Sequence, residues 1–440
     1  MKNLNLNACL LMLLFVSLSF SQRVDFEEYD LSNGLHVILH QDKSVPIVTT
    51  SVLYHVGSKD EDPERTGFAH FFEHLLFEGT KNIEKGKWFS IVIGSGGSNN
   101  AYTTDDFTYY YENFPSNNLE LAIWMESERM LHPVIDKIGV DTQNEVVKEE
   151  KRMRYDNSPY GKWNEEVKLN LFKVHPYKQT TIGKMEHLDS ATLDEFLAFN
   201  EKYYIPNNAV LTVAGDIDIL QTKKWIVDYF GEIPKGKEIK RKFPEEPDIN
   251  ETIKAKAFDP NIQIPAIFLA YRTPKRNSRE ARVLDMISTY LSGGKSSKLY
   301  KKLVDEKKMS LEVSSFNMSN EDYSTYVIIS LPMGVTKLET LIEEISEEVD
   351  KIQTELISEK DFQKLQNQFE SSFVSSNATI EGIANSLAEY YTFYGDTDLI
   401  NKELDLYKSI TREEIKSVAQ LYLKSNQRLE LYYLPESQKE

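Results

Sequence analysis

The chain has 440 residues, of which 40% are hydrophobic and 27% are charged, and its formal net charge is −18. A chain of this length is expected to form roughly two to four domains with substantial hydrophobic cores. The acidic excess argues against nucleic acid or an anionic membrane as the main partner.

The N-terminus has the pattern of a signal peptide. Lys2 precedes an apolar stretch over residues 8–20, and small residues at positions 19 and 21 predict cleavage after Ser21. The stretch is shorter than the roughly 20 residues that cross a bilayer, and no later segment approaches that length. The alternative is an interfacial or core helix. We expect residues 1–21 to be a signal peptide, the mature chain to carry no transmembrane segment, and the protein to be exported, either periplasmic or secreted.

The cysteine content limits the chemistry of the mature chain. Cys9 is the single cysteine of the sequence and lies inside the predicted signal peptide. A mature chain without thiols can form no disulfide, and it offers neither a thiolate nucleophile nor a cysteine ligand. Any metal ion must therefore be held by His, Asp or Glu.

Residues 22–233 are predicted to form the first domain. A strand–turn–strand unit is expected over residues 29–40, and β-branched residues favour another strand over residues 47–56. A helix is expected to begin near Gly67. The segment 234–260 that follows the domain is charged, contains prolines and lacks periodicity, which is typical of a linker.

Residues 261–440 are predicted to repeat the plan of the first domain. The segment after the linker again predicts a strand and then a helix, and each half ends with a helix followed by a strand. Both of these last helices begin with a capping box, Thr192-x-x-Glu195 in the first half and Thr411-x-x-Glu414 in the second. The matching order favours duplication of one unit. We expect an α+β protein of two related domains, each a mainly antiparallel sheet packed with helices.

The histidines place any histidine-bound metal site in the first half. All eight lie there: His36, His40, His55, His70, His74, His132, His175 and His187. His70 and His74 belong to the segment His-Phe-Phe-Glu-His, which is predicted to be helical. Since side chains four positions apart project from one helix face, these two imidazoles can bind one zinc ion. Glu73 shares that face and can accept a proton from a water molecule. The alternative is a helix with incidental polar residues.

A zinc hydrolase needs a third protein ligand and leaves the fourth coordination position to water. The helical pattern of residues 141–155 offers Glu145, Glu149 and Glu150 as ligands. Composition does not choose among the three, because a run of charges is usually a solvated helix face.

The segment FAHFFEHLLFEGT, residues 68–80, resembles the signature of the pitrilysin family of zinc peptidases, which carry the inverted His-x-x-Glu-His motif. In that family the third ligand is a downstream glutamate within Val-Val-x-x-Glu, and residues 146–150 match this pattern. The resemblance therefore implies one zinc ion per chain, bound by His70, His74 and Glu150, with Glu73 as the general base. Some families place a supporting acid where this chain has Gln143. Either Glu145 or Glu149 takes that role here, or the role is absent.

The segment GGSNNAYTT, residues 96–104, is predicted to include an exposed strand edge. Glycines allow close backbone approach, and an edge strand can pair with an extended peptide. The resemblance implies that this edge holds the substrate across the metal, with Asn100 and Ala101 as binding residues. The alternative is a plain hairpin turn.

The resemblance also implies a partner subunit. In members of the family, the half without zinc supplies an Arg and a Tyr to the bound peptide. The aligned positions here are Val304 and Leu311, whose side chains donate no hydrogen bonds. With 440 residues, the chain corresponds to half of the family's clamshell. We expect it to resemble the zinc-bearing subunit of a two-chain enzyme such as the mitochondrial processing peptidase. Its partner would be a similar-sized subunit in a heterodimer, with a homodimer as the fallback.

Together the motifs predict a metalloendopeptidase, a peptide-bond hydrolase that cuts extended peptides or short unfolded proteins. The alternative is a non-catalytic assembly or peptide-binding subunit of the same fold. An assembly subunit would not require the intact set of His70, Glu73, His74 and Glu150.

Overall fold

The computed structural model describes residues 23–439, so the predicted signal peptide with Cys9 lies outside the described residues. The described chain forms one sheet of six strands and one of five, and each sheet is packed with helices. Both sheets are mainly antiparallel, which confirms the predicted α+β class. Within residues 23–439, no helix has the length and apolar character needed to cross a bilayer.

The first sheet has the strand order β1-β2-β6-β3-β5-β4, and the second has the order β7-β11-β8-β10-β9. The strand bounds in chain order are β1 Glu27–Asp30, β2 His36–Gln41, β3 Ile47–Tyr54, β4 Ser98–Thr103, β5 Thr108–Pro115, β6 Ala209–Gly215, β7 Ile253–Asp259, β8 Ala266–Thr273, β9 Ser310–Met318, β10 Ser324–Pro332 and β11 Leu429–Pro435.

The α-helices lie between and after these strands. Their bounds are α1 Phe68–Leu75, α2 Trp88–Gly94, α3 Leu119–Leu131, α4 Lys137–Lys151, α5 Trp163–Leu171, α6 Met185–Ser190, α7 Leu193–Tyr203, α8 Ile219–Phe230, α9 Arg279–Ser292, α10 Leu338–Thr354, α11 Glu359–Ser376, α12 Ile380–Glu389, α13 Leu399–Lys408 and α14 Arg412–Tyr422. The helices α7 and α14 both begin with the predicted capping boxes.

The two sheets repeat one topology. In the first, β2 and β6 run parallel, and the pairs β6-β3, β3-β5 and β5-β4 are antiparallel. In the second, β7 and β11 run parallel, and the pairs β11-β8, β8-β10 and β10-β9 are antiparallel. Strand order and direction therefore match, with β1 as an added strand. This match confirms that the two domains are related.

The segment between the two predicted domains contributes a strand to the second sheet. The first strand of that sheet, β7, lies inside the segment 234–260 that was predicted to be a linker. Lys254 and Lys256 of this edge strand are exposed, and charged edge strands of this kind lack a strong hydrophobic signal. The limits 22–233 and 261–440 of the two domains stay predictions.

Each half contributes a helix to the sheet of the other half. The helix α5 packs on the second sheet, where Trp163 stacks on Phe268 with 5.6 Å between ring centroids. The helix α12 packs on the first sheet, where Leu387 joins Ile38 and Leu53 in one buried cluster. Two hydrophobic cores therefore join the halves in addition to the connecting segment.

The tip of the β9–β10 hairpin adds polar contacts between the halves. The carboxylate of Glu321 lies 2.7 Å from Nε2 of His55 and contacts the ammonium group of Lys59. The backbone N–H of Glu321 donates to Asp106 at 2.9 Å. Lys59 also pairs with Asp106 at 3.0 Å, although its side chain is buried. Oppositely charged side chains of both halves thus meet in a largely buried junction.

Candidate metal centre

The helix α1 separates an anchored apolar face from a polar face. Phe68 stacks on Phe196 with 4.6 Å between ring centroids, and Phe72 stacks on Phe199 at 5.5 Å. Both partners belong to α7, so these aromatic contacts fix α1 against the first domain. The two histidines and the glutamate of the inverted motif then project together from the other side of the helix.

Buried polar side chains hold both ends of this short helix. At the N-terminus, the carboxylate of Glu61 accepts hydrogen bonds from the backbone N–H groups of Gly67 and Ala69, each at 2.8 Å. At the C-terminus, Arg129 donates to the carbonyl oxygen of Leu76 at 3.1 Å. Burial raises the pKa of Glu61 well above its usual value, so Glu61 acts through its two hydrogen bonds. The positive charge of Arg129 complements the negative C-terminal end of the helix dipole. A helix of eight residues is marginal alone, so these contacts contribute to its position.

A close backbone approach fixes where α1 begins. Gly67, just before the helix, has φ +93°, and Gly183 of the neighbouring loop has φ +65°. A Cβ atom on Gly183 would lie 2.4 Å from the backbone nitrogen of Gly67. Only residues without side chains allow the two backbones to approach so closely.

The structure brings the three predicted ligands together. Nε2 of His74 lies 3.1 Å from Oε2 of Glu150, and Nε2 of His70 lies 3.5 Å from the same oxygen. One ligand atom from each residue lies within 4.8 Å of the other two. The helix α4 carries Glu150 and packs beside α1, which brings the carboxylate to the imidazoles despite a separation of 76 residues from His74.

The other acidic residues of α4 point elsewhere. The side chain of Glu145 is 71% exposed and pairs with Lys148, and that of Glu149 is 58% exposed and pairs with Arg152. Gln143 donates a hydrogen bond to Glu78, which follows α1. The choice that composition left open is therefore made by helix packing, which turns only Glu150 of these candidates towards the imidazoles.

Glu73 is held by a residue of the edge strand. Oγ1 of Thr103, the last residue of β4, donates a hydrogen bond to Oε2 of Glu73 at 2.7 Å. Burial raises the pKa of Glu73, and the Thr103 hydrogen bond opposes that rise. Thr103 follows Asn100 and Ala101 in β4, and no pattern in the sequence predicted a role for it. Its contact with Glu73 depends on how β4 and α1 pack.

The electrostatics of the cluster favour metal binding. Burial and the neighbouring His74 lower the pKa of His70 to about 4, so this imidazole is neutral and keeps a free lone pair at neutral pH. Burial raises the pKa of Glu150, but the His74 hydrogen bond and the nearby charges, among them Arg154, bring it below its usual value. Glu150 is therefore ionised. Neutral imidazole and carboxylate are donors that suit zinc.

The proposed substrate residues lie on a sheet edge. Asn100 and Ala101 belong to β4, which pairs with β5 on one side and is the last strand of the first sheet in the described chain. The aligned positions in the second half, Val304 and Leu311, lie in a π-helical turn and in β9. The binding roles stay predictions.

Two repeats of one α+β topology, with a three-residue cluster of potential metal ligands in the first, define the structural class of the chain. The family model "Insulinase (Peptidase family M16)" matches residues 36–184, and the model "Peptidase M16 inactive domain" matches residues 190–369. The chain therefore belongs to peptidase family M16, the pitrilysin-type family that its motif resembles. The range of the second model contains none of the eight histidines.

Similar proteins in this family are named as proteases. Zinc protease PqqE of Helicobacter pylori is 29% identical over 415 residues, which is 93% of each chain. The crystal structure of a protease from Helicobacter pylori has a TM-score of 0.87 at 28% identity, covering 93% of this chain and 99% of that chain. The periplasmic protease PqqL from Escherichia coli shares the fold, with a TM-score of 0.77 at 19% identity. That match covers 93% of this chain but 48% of PqqL.

Proposed function

We propose that this chain is a zinc-dependent endopeptidase that hydrolyses extended peptides or short unfolded proteins. The observation that carries the proposal is the meeting of His70, His74 and Glu150 within 4.8 Å, beside the half-buried carboxylate of Glu73. Two imidazoles and one carboxylate form a ligand set that suits one zinc ion and leaves a position for water. The name of the relative from Helicobacter pylori supports zinc as the metal.

The residues around the cluster have distinct roles in hydrolysis. Zinc held by His70, His74 and Glu150 would supply Lewis acidity, which lowers the pKa of water towards about 7 and polarises a carbonyl group. Glu73 accepts a proton from the attacking water and passes it to the departing amine. Thr103 holds one carboxylate oxygen of Glu73, so the other oxygen is the one available to the proton.

The peptide substrate is proposed to bind as an added strand on β4. Backbone groups on the side of β4 that faces away from β5 pair with no strand of the described chain. An extended peptide that pairs beside Asn100 and Ala101 continues to Thr103, which contacts Glu73. Backbone pairing requires an extended substrate, which accounts for a preference for unfolded chains.

A second subunit of the same fold is proposed to complete the enzyme. The side chains of Val304 and Leu311 offer no hydrogen bond to a peptide, so a similar-sized partner would supply the Arg and Tyr, with a second copy of this chain as the fallback. The length of PqqL, of which this chain matches 48%, is consistent with two such units in one enzyme. Export to the periplasm or the cell exterior, inferred from the predicted signal peptide, is part of the same proposal.

The test compares three variants of the purified chain. Glu73→Gln should keep about one zinc ion per chain and lose roughly 10²–10⁴-fold in cleavage of a quenched fluorescent peptide, the usual contribution of a general base. Glu150→Gln should lose both zinc and activity. Glu145→Gln is the matched control, because Glu145 is an exposed residue of the same helix, and it should retain both.

Two results would overturn the proposal. One is cleavage by Glu73→Gln at the wild-type rate. The other is a wild-type chain that contains zinc but cleaves no peptide, alone or with a subunit that co-purifies from the native host. The second result would favour the non-catalytic assembly or peptide-binding role.

A further inference from the structure

The two oxygens of the Glu150 carboxylate have different neighbours. Oε2 faces the imidazoles, at 3.1 Å from His74 and 3.5 Å from His70. Oε1 faces the guanidinium group of Arg154, with 2.9 Å to Nη1. One oxygen therefore contacts the imidazoles and the other contacts the guanidinium group. The side chain of Glu150 is only 15% exposed.

Arg154 lies just after the point where the helix type changes. The helix α4 ends at Lys151 and continues as a π-helical turn over Arg152–Asp156, in which the N–H of Asn157 donates to the carbonyl oxygen of Arg152 five positions earlier. Arg154 follows Glu150 by four positions, a spacing that brings two side chains to the same helix face. Single π-helical turns of this kind occur often at functional sites.

We infer that Arg154 is a positioning residue that reserves Oε1 of Glu150 and presents Oε2 alone to the metal. The inference rests on the proposed zinc peptidase function. A carboxylate can bind a metal through one oxygen or through both, and the ion pair between Arg154 and Oε1 favours binding through one. Coordination through a single oxygen leaves the open position to water, which the reaction requires.

The simpler interpretation is an ordinary surface ion pair. The side chain of Arg154 is 75% exposed, and exposed pairs contribute little to stability. The chain contains such a pair two residues away, where Arg152 lies 3.1 Å from Glu149 and both side chains are exposed. Arg154 differs from Arg152 in its partner, because Glu150 is largely buried and faces the imidazoles. The two arginines therefore form a matched comparison.

The test uses full-length mature chain loaded with zinc and carrying Arg154→Met, Arg154→Lys or Arg152→Met. Methionine keeps much of the side-chain length and removes the charge and the donors. For each variant we would measure kcat and KM on a quenched peptide, zinc affinity by competition with a chromophoric chelator, and the thermal midpoint. Arg154→Met should lose on the order of tenfold in kcat, the usual effect of removing a partner of a metal ligand, with KM unchanged.

Zinc affinity distinguishes positioning from simple support of the ligand. Arg154→Met should bind zinc at least as tightly as the wild type, because the second oxygen becomes free and a nearby positive charge is removed. Excess zinc should therefore not restore kcat. Arg154→Lys should restore most of kcat, since an ammonium group can still bind Oε1. Arg152→Met should match the wild type in every measurement.

Three outcomes would overturn the inference. These are a kcat of Arg154→Met within twofold of the wild type, recovery of its kcat with excess zinc, and an equal loss in Arg152→Met. If Arg154→Met does not fold, Arg154→Gln takes its place. The inference is then overturned if the kcat of Arg154→Lys is no higher than that of Arg154→Gln. Failure of the proposed function looks different, because then either the wild type itself cleaves no peptide or Glu73→Gln cleaves it at the wild-type rate. The zinc affinity of Arg154→Met still tests the inference when the proposed function fails, because this measurement needs no peptide cleavage. Zinc binding weaker than in the wild type would reject the role of Arg154.

Discussion

Replacing Glu321 by Gln should weaken the junction between the two halves of the chain. Glu321 lies at the tip of the β9–β10 hairpin and contacts His55 and Lys59 of the first half. Burial raises the pKa of Glu321. The His55 hydrogen bond and the charges of His55 and Lys59 lower it by more, so that the resulting pKa is about 2. The ionised carboxylate is therefore strongly favoured in the folded chain. Gln keeps the size of the side chain and removes the charge.

The size of the effect follows from the pKa of Glu321. A folded pKa of about 2 against the ordinary value of 4.5 corresponds to about 3 kcal/mol, at 1.36 kcal/mol for each pKa unit. Folding depresses this pKa, so the stabilisation is fully present above the unfolded value and is lost as the pH falls through the folded value. Glu321→Gln should lower the free energy of unfolding by about 3 kcal/mol at pH 7 and by only about 1 kcal/mol at pH 3.

Urea unfolding followed by tryptophan fluorescence at the two pH values measures this difference. Glu312→Gln is the matched control, because Glu312 is an exposed residue of the same hairpin, and it should change the unfolding free energy by less than about 0.5 kcal/mol. A loss below about 1 kcal/mol for Glu321→Gln at pH 7 would contradict the reasoning. So would an equal loss at pH 7 and pH 3, because the effect would then not come from the charge.

Three further predictions concern the surroundings of the metal centre. Burial raises the pKa of Glu112 to about 8, so the stabilisation from its protonated form is fully present below the unfolded pKa of 4.5 and is lost as the pH rises through 8. The unfolding free energy of the wild type should therefore fall between roughly pH 4.5 and 8, and Glu112→Gln should flatten that fall; a fall as steep as in the wild type would be inconsistent with this pKa. Gly183→Ala should lower the unfolding free energy by about 1–3 kcal/mol more than the control Gly86→Ala, since both positions have positive φ but only a Cβ on Gly183 meets backbone. Equal thermal midpoints for the two glycine variants would reject that argument. Free zinc at 100 times its Kd should stabilise the chain by about 2.7 kcal/mol, and His74→Gln should abolish this dependence of the thermal midpoint on zinc.

The local pattern of the sequence was sufficient for much of the fold. The turn pattern within residues 29–40 and the β-branched residues of 47–56 predicted the first strands, and the two capping boxes predicted where α7 and α14 begin. The same local logic predicted that His70 and His74 share a helix face. These features depend on residues within one or two turns of each other, so periodicity and side-chain chemistry are enough to predict them.

Tertiary packing alone decided the contacts between distant residues. The charges of α4 were equivalent in the sequence, and only the packing of α4 beside α1 turned Glu150 to the imidazoles and left Glu145 exposed. The hydrogen bond from Thr103 to Glu73, the exchange of α5 and α12 between the sheets, and the pairing of β7 also depend on packing. Such contacts join segments far apart in the chain, and their formation depends on the shape of the whole core. A local pattern carries no information about that shape.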